Sequence, residues 1–260
     1  MNNKELEEDL KKHKEMDNLY LRYIEEPFNI PNVLIHLERL KIKCCNIKEI
    51  PNNFNKLKLL ILNNCAIENL SNTLINLEKL KIKNCNIKEI PIDFNKLKVL
   101  VLNNCEIESL PNTLINLEKL IIKNCKIKEI PNNLNKLKLL ILENCDNIET
   151  IPNNLINLKK LNIENCNNIK FIPNTLINLK ILNVFENNYI DNIPKTLINL
   201  NYLGIDENII KLSNTYINII ELFINCSHFT KLYKEDKDNF IVKDEINKMF
   251  ELFNLCFNNN

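Results

Sequence analysis

The chain of 260 residues contains a single glycine and no tryptophan, and its charges nearly cancel. A phosphate-binding loop of the Gly-rich type needs several glycines within a short stretch, so nucleotide-binding motifs of that kind are excluded. With 34 lysines and arginines against 33 aspartates and glutamates, the sequence implies no global attraction to nucleic acid or to an anionic membrane. Any electrostatic attraction must therefore come from a local arrangement of charges.

Long apolar runs are also missing. No stretch approaches the roughly 18 to 20 apolar residues of a membrane span. The first residues, MNNKELEEDLKKHKE, alternate acidic and basic side chains and lack the apolar segment of a classical signal peptide. The sequence therefore predicts an intracellular, cytoplasmic protein with no membrane contact, whose ten cysteines are reduced.

The sequence is rich in internal repetition. Residues 37–76 and 77–116 are near copies of each other, and each contains two shorter units of the form L-x-x-L-x-I-x-x-C-x-I-x-x-I-P-x-x-L-x-x. Copies of the short unit begin at Leu37, Leu57, Leu77, Leu97, Leu117, Leu137, Leu158, Leu179 and Leu200. A tenth, degenerate copy begins near Ile219.

The beginning of each unit predicts a short β-strand. In Leu80-Lys81-Ile82 apolar and polar side chains alternate, as they do along a strand with one buried face. The strands recur too far apart in the sequence for hairpins, so the predicted sheet is parallel. One unit cannot enclose a core alone, and its neighbours must complete it.

The unit resembles that of the leucine-rich repeat proteins, L-x-x-L-x-L-x-x-N/C-x-L, which Leu77, Leu80, Ile82, Cys85 and Ile87 match position by position. The short length, with I-P or L-P after the motif, is similar to the class found in some bacterial effectors, although cysteine stands where asparagine is usual. The resemblance implies an α/β solenoid: a horseshoe with a parallel β-sheet on its concave face, an irregular or short helical convex side, and helical caps. It implies a surface that presents side chains and no single activity.

Three regions are expected along the chain. Residues 1–36 are predicted to form a charged N-terminal helix, over residues 3–16, and an atypical capping repeat. About nine repeats are expected in 37–218. Residues 219–260 are predicted to hold a degenerate last repeat and a C-terminal capping helix, over 244–257, because a stack of open units exposes its core at both ends.

Cysteine recurs at the ninth position of the unit. The column consists of Cys45, Cys65, Cys85, Cys105, Cys125, Cys145 and Cys166. In the family this position points into the core just past the strand, so we interpret the column as structural, with cysteine as a small apolar filler and weak S–H donor. Asn187 and Asn208 stand at the equivalent place in later units, which indicates that the position takes a turn-capping residue and does not require sulfur.

Other roles for the cysteines find less support in the sequence. Metal binding needs clustered ligands, and the adjacent Cys44 and Cys45 are expected to point to opposite sides of the strand, so no metal is expected. Disulfides between neighbouring units are compatible with a strand spacing of about 4.8 Å and a Cα separation of about 4.4 to 6.8 Å in disulfides. Parallel side chains and a reducing cytosol argue against them.

The third, fifth, seventh and eighth positions of each unit are predicted to face outward on the concave sheet, where rows alternate between basic and apolar and the face begins basic and ends acidic. The candidate partner-binding residues are Leu59, Ile61, Lys79, Lys81, Val99, Val101, Lys119, Ile121, Leu139, Ile141, Phe185 and Tyr202. Contiguous apolar patches commonly mark interaction sites, so these rows favour a protein-binding groove. The alternative is that duplication copied residues that favour strands. The column from Asn64 to Asn144 either binds a partner or forms a solvated ladder.

The predicted function is a scaffold or adaptor that binds a protein partner along the concave face, as a monomer, without catalysis, cofactor or metal. One alternative is a nucleic-acid-binding solenoid that uses the lysine rows, although no aromatic residues interleave with them for base stacking. Another is a cysteine-dependent enzyme at Cys226 and His228, although a catalytic pair also needs a third group to orient it. Nucleic acid is not expected as the partner.

Overall fold

The computed structural model describes residues 2–187, 189–190, 192–206 and 221–225. Helix α1 (Asn3–Lys12) is followed by eleven strands in this part of the chain. In chain order these are β1 (Asn18–Ile24), β2 (Arg39–Cys45), β3 (Leu59–Cys65), β4 (Lys79–Cys85), β5 (Val99–Cys105), β6 (Lys119–Lys123), β7 (Leu139–Glu143), β8 (Lys160–Glu164), β9 (Ile181–Asn183), β10 (Tyr202–Asp206) and β11 (Glu221–Asn225).

The strands form one parallel sheet whose spatial order is the order of the sequence. Equivalent positions of successive units face each other, so that Leu80 pairs with Leu60 on one side and with Leu100 on the other. The segment between two strands therefore brings the chain back so that each strand lies parallel to the one before it and directly beside it. The predicted α/β solenoid with a parallel sheet is confirmed.

Side chains alternate between the core and the open face of the sheet. In β3, Leu60 and Leu62 are fully buried, whereas Leu59 and Ile61 face outward and are half-buried. The fourth, sixth and ninth positions repeat this burial in each unit from Leu37 to Leu179, and the buried side chains form one continuous core. Because a fully buried Leu or Ile contributes about 1.5 to 3 kcal/mol, this core provides the main stabilisation of the stack.

The chain returns over the core through consecutive turns. At the end of the first unit the N–H of Phe54 donates to the carbonyl of Pro51 over 3.4 Å, and the N–H of Leu57, which begins the second unit, donates to the carbonyl of Phe54 over 3.1 Å. Units are also tied together by side chains, as where the amide of Asn76 donates to the backbone carbonyl of Asn55 over 2.6 Å. These bonds hold each unit at a fixed position against its neighbour.

The N-terminal end of the core is covered by α1 and β1. Asn2 caps the helix by accepting from the N–H of Glu5 over 2.9 Å, and Leu10 is buried against the core. The helix ends at Lys12, earlier than the predicted residue 16, because the backbone of His13 leaves the helical conformation and its N–H closes the last turn on Leu10.

The C-terminal predictions lie largely outside the described residues. The capping helix over 244–257, the pair Cys226 and His228, and Asn208 all belong there. The division into regions at residues 36 and 218 stays a prediction. The described part of the chain contains no helix with the length and apolarity that a membrane crossing requires.

Candidate binding surface on the concave sheet

The backbone turns sharply at the eighth position of each unit. The residues there have a left-handed backbone, with φ between 48° and 57°: Tyr23, Cys44, Asn64, Asn84, Asn104, Asn124, Asn144, Asn165 and Glu186. Asparagine tolerates this conformation better than most residues, which accounts for its recurrence in a chain with almost no glycine. The turn makes the seventh and eighth side chains both face outward and returns the ninth to the core.

The asparagines of this column bond to one another across the units. The amide of Asn84 donates to the side-chain oxygen of Asn64 over 2.6 Å, and that of Asn104 donates to Asn84 over 3.0 Å. Asn144 donates to Asn124 in the same way over 2.8 Å. The column therefore forms an interunit ladder; because its side chains are exposed, contact with a partner stays a prediction.

The cysteine column is buried in every unit from Cys45 to Cys166. The thiol of Cys105 donates to the backbone carbonyl of Asn103 over 3.4 Å and lies 3.6 Å from that of Ile82. Asn187 makes the corresponding pair of bonds with its amide, to Phe185 over 2.6 Å and to Ile163 over 2.7 Å. Cysteine and asparagine therefore bond to equivalent backbone carbonyls at this position, which agrees with a structural role for the column.

All cysteines in the described residues are free thiols. Burial raises the pKa of Cys45. The hydrogen bond between Cys65 and Cys85, together with burial, raises the pKa of Cys65, while the same bond lowers the pKa of Cys85 to about 7. Because Cys85 is only 3% exposed, its sulfur is nevertheless screened from solutes. The column has the environment of inert structural cysteines.

The predicted partner-binding residues lie together on the outward face of the sheet. The column at the third position of the unit, here called the first column, consists of Arg39, Leu59, Lys79, Val99, Lys119, Leu139, Lys160, Ile181 and Tyr202. The second column, at the fifth position, consists of Lys41, Ile61, Lys81, Val101, Ile121, Ile141, Asn162, Asn183 and Gly204. Phe185 lies beside them at the seventh position. The apolar members are half-buried because each lies between the side chains of two neighbouring strands.

Charge is distributed differently on the sheet and on its flank. At the second position of the unit, outside the strand, Lys98 pairs with Glu78 at 2.9 Å. Lys58 with Glu38 and Lys138 with Glu118 repeat this ion pair at 2.7 Å. On the sheet, Lys123 pairs with Glu143. The four cations of the first column form no ion pair within the described residues. These four are Arg39, Lys79, Lys119 and Lys160.

The far end of the face is polar and tightly packed. The side-chain oxygens of Asn162 and Asn183 are buried and have no hydrogen-bond partner in the described part of the chain. A Cβ atom on Gly204 would lie 2.6 Å from the oxygen of Asn183 and 2.9 Å from the ring of Phe185. Glycine is needed there because neighbouring side chains fill the space above it.

A row of exposed isoleucines on the flank was missed by the sequence analysis. Ile75, Ile115, Ile156, Ile177 and Ile198 are between 45% and 58% exposed, more than the apolar residues of the first and second columns. They precede the strands, in the recurring segment L-I-N-L, and asparagine replaces them in alternate early units. That alternation is the signal that could have identified an outward position.

Comparison with known proteins found no matching family model and no matching curated protein. Among solved structures, the leucine-rich repeat domain of the type III effector XopL superposes with a TM-score of 0.62 and 24% identity, over 83% of this chain and 80% of that domain. The chain has the fold of a leucine-rich repeat solenoid. The expected resemblance is therefore confirmed at the level of the fold.

Other leucine-rich repeat structures show the same likeness. The LRR protein LIC12759 of Leptospira interrogans matches 86% of this chain and 77% of its own length, with a TM-score of 0.54 and 19% identity. The plant peptide hormone receptor RGFR1, solved in complex with RGF2, matches 78% of this chain with a TM-score of 0.55 and 18% identity. This chain spans 38% of that receptor structure, and the likeness concerns the fold alone.

Proposed function

We propose that this leucine-rich repeat solenoid is a non-enzymatic scaffold or adaptor that binds a protein partner on its concave face. The observation that carries the proposal is the apolar surface on the side of the sheet opposite the core, which is contiguous across β5 to β7 and continues on β3 beyond the lysines of β4. Its members are Leu59, Ile61, Val99, Val101, Ile121, Leu139 and Ile141. Contiguous apolar surface of this kind is typical of protein interaction sites.

A preformed surface supports this function energetically. Each central strand is hydrogen-bonded on both sides, and the asparagine ladder and the buried cysteines fix the turn that follows it. A partner therefore binds without ordering the backbone of the solenoid, and little affinity is lost to conformational entropy. The apolar rows supply contact area, while the charged rows set the register of the partner.

A peptide or protein segment is the class of partner that we propose for this face. The published complex of the plant receptor RGFR1 with RGF2 has a peptide ligand on the same fold, which agrees with this proposal. We propose further that the protein acts in the cytoplasm and as a monomer.

Catalysis has no support in the part of the chain that the structure describes. The cysteines of the column are buried, and their thiols are hydrogen-bonded to backbone carbonyls or to a neighbouring thiol. A nucleophilic thiol needs access to its substrate and a base beside it, neither of which this column offers.

Two matched variants test the proposal. In the groove variant Ile61, Val101 and Ile141 are replaced by Asp, and in the flank variant the exposed Ile75, Ile115 and Ile156 are replaced by Asp. Nuclease-treated cell lysate is passed over each immobilised protein, and captured proteins are identified by mass spectrometry. We expect the groove variant alone to lose partners that the wild type captures. Retained capture by the groove variant, with folding verified by circular dichroism, overturns the proposal.

A further inference from the structure

We propose that the partner segment is an acidic peptide in the polyproline II conformation, with a carboxylate at every third residue, which lies along the first column of the sheet. This inference rests on the proposed function and specifies the chemistry of its ligand. The carrying observation is the strict alternation of cationic and apolar side chains in that column.

The alternation follows the strand register without interruption over eight strands. Cations occupy β2, β4, β6 and β8, and apolar residues occupy β3, β5, β7 and β9. The paired residues, in order, are Arg39, Leu59, Lys79, Val99, Lys119, Leu139, Lys160 and Ile181. The column thus offers a repeating pattern of one positive charge and one apolar contact for every two strands.

None of the four cations forms an ion pair within the described residues, although the charge of Lys119 contributes to the lowered pKa of the nearby Glu118. On the flank the same duplicated unit places a glutamate in one repeat and a lysine in the next, and the two form an ion pair, as in Glu78 with Lys98. In the first column the duplication places lysine against leucine or valine. Lys79, for example, is flanked by Leu59 and Val99. The sheet therefore presents four positive charges that an anionic ligand can pair.

The spacing of the charges favours one backbone conformation. Strands about 4.8 Å apart place alternate members of the column about 9.6 Å apart. A polyproline II helix advances about 9.3 Å in three residues, so side chains three apart share one side at nearly this spacing. Over the three intervals between four cations the mismatch is about 0.9 Å.

Other conformations fit less well. An α-helix repeats its face after seven residues, or about 10.5 Å, and its mismatch over three intervals grows to about 2.7 Å. An extended β-strand repeats its face after about 6.8 Å and meets the cations only at irregular intervals. The periodicity of the column therefore distinguishes a polyproline II segment from these alternatives.

The first column is preferred over the third for an electrostatic reason. In the third column, at the seventh position, the early units carry Lys43 and Lys83, but Glu143 and Glu164 follow. An acidic chain along that column would meet like charge in its second half. Only the first column provides cations along the length of the face, and its apolar members Val99 and Leu139 contact the apolar residues that separate the carboxylates.

The test uses synthetic labelled peptides and fluorescence anisotropy. The first peptide repeats Glu-Pro-Leu four times. A second has the same composition with its glutamates consecutive, a third replaces Glu by Gln, and oligouridylate serves as a nucleic acid probe. Three forms of the protein are compared. They are the wild type, a column variant with Lys79, Lys119 and Lys160 replaced by Gln, and an ion-pair variant with Lys58, Lys98 and Lys138 replaced by Gln. Both variants lose the same charge.

We expect the wild type to bind the periodic acidic peptide at least about tenfold more tightly than the other three probes. The column variant should lose this preference, and the ion-pair variant should keep it. Equal binding of the two acidic peptides would contradict the proposed match between the spacing of the glutamates and that of the cations. Equal loss in the two variants overturns the choice of surface, and tighter binding of oligouridylate overturns the peptide in favour of nucleic acid. If no acidic peptide binds while lysate capture still depends on Ile61, Val101 and Ile141, this inference fails and the proposed function stands.

Discussion

The side-chain amide of Asn104 donates a hydrogen bond to the side-chain oxygen of Asn84 over 3.0 Å, and both residues hold a left-handed backbone, with φ of 54° and 50°. The same residue type therefore meets two needs at once. It adopts a conformation that most side chains avoid, and it ties one unit to the next. This explains how a solenoid with a single glycine makes the same sharp turn in every repeat.

Replacing Asn104 by Ala is expected to lower the free energy of unfolding by about 1 to 2 kcal/mol, because alanine pays the cost of the left-handed backbone. The neighbouring Asn103, in the strand itself, serves as the control, and its replacement by Ala should change the value by less than about 0.5 kcal/mol. Asn104→Gly should fall between the two, since glycine removes the ladder bond but adopts the conformation freely. Urea unfolding measures all three. Equal losses for Asn104→Ala and Asn103→Ala would refute the backbone explanation.

Cys105→Asn should be tolerated better than Cys105→Ser or Cys105→Ala. Asparagine can reproduce the two bonds that Asn187 makes at the same position, whereas alanine leaves a small cavity and serine adds polarity to the core. The urea midpoint of each variant gives the order of stability, and partner binding should remain intact in all three. A loss of binding out of proportion to stability would contradict the structural role of the column.

Gly204→Ala should displace the ring of Phe185, because the added Cβ would lie 2.9 Å from that ring and 2.6 Å from the oxygen of Asn183. We expect shifted aromatic resonances of Phe185 and a loss of about 1 kcal/mol or more in unfolding free energy, as overpacking commonly costs. In a Phe185→Ala background the same substitution should cost less. An identical cost in both backgrounds would show that the ring does not restrict this position.

Stability should decrease at alkaline pH through Cys45. Its burial raises the pKa of the thiol in the folded state, so below the unfolded pKa of about 8.5 both states hold the proton and the full contribution is present. As pH rises further, the unfolded state loses its proton first, and the free energy of unfolding falls by up to about 1.4 kcal/mol per pH unit until the folded pKa is reached. Urea titrations at pH 7 and above pH 9, in reductant, should show a smaller decrease for Cys45→Ala. If the free energy of unfolding fell equally with pH in the wild type and in Cys45→Ala, the raised pKa of Cys45 would not be the cause.

Much of the scaffold could be predicted from the sequence because each unit repeats the same physical constraints. The alternation in Leu80-Lys81-Ile82 determines which side chains face the core, and the spacing of the units requires a parallel sheet. The resemblance to the leucine-rich repeat unit places the ninth position in the core, and Cys105 is buried there. Repetition strengthened each of these inferences because every unit had to satisfy them together.

Other features depend on contacts between units, which a single repeat does not reveal. The ion pair of Lys98 with Glu78 joins residues one unit apart, and the ladder bond of Asn104 depends on a backbone conformation that the sequence analysis did not consider. Reading asparagine as a substitute for glycine in a chain with one glycine could have identified that turn. The exposed Ile115 was missed because its neighbours Leu114 and Leu117 are buried and suggested a continuous apolar segment.

The most direct test of the central claim is a photo-crosslinking measurement at two isoleucines. A photoreactive amino acid is introduced at Ile121, in the second column of the concave sheet, or at Ile115, on the exposed flank of the same repeat stack. After irradiation in lysate, the account predicts a discrete crosslinked partner for the protein labelled at Ile121 and none for the protein labelled at Ile115. A partner crosslinked at Ile115 and absent at Ile121 would place the binding surface on the flank and contradict the account.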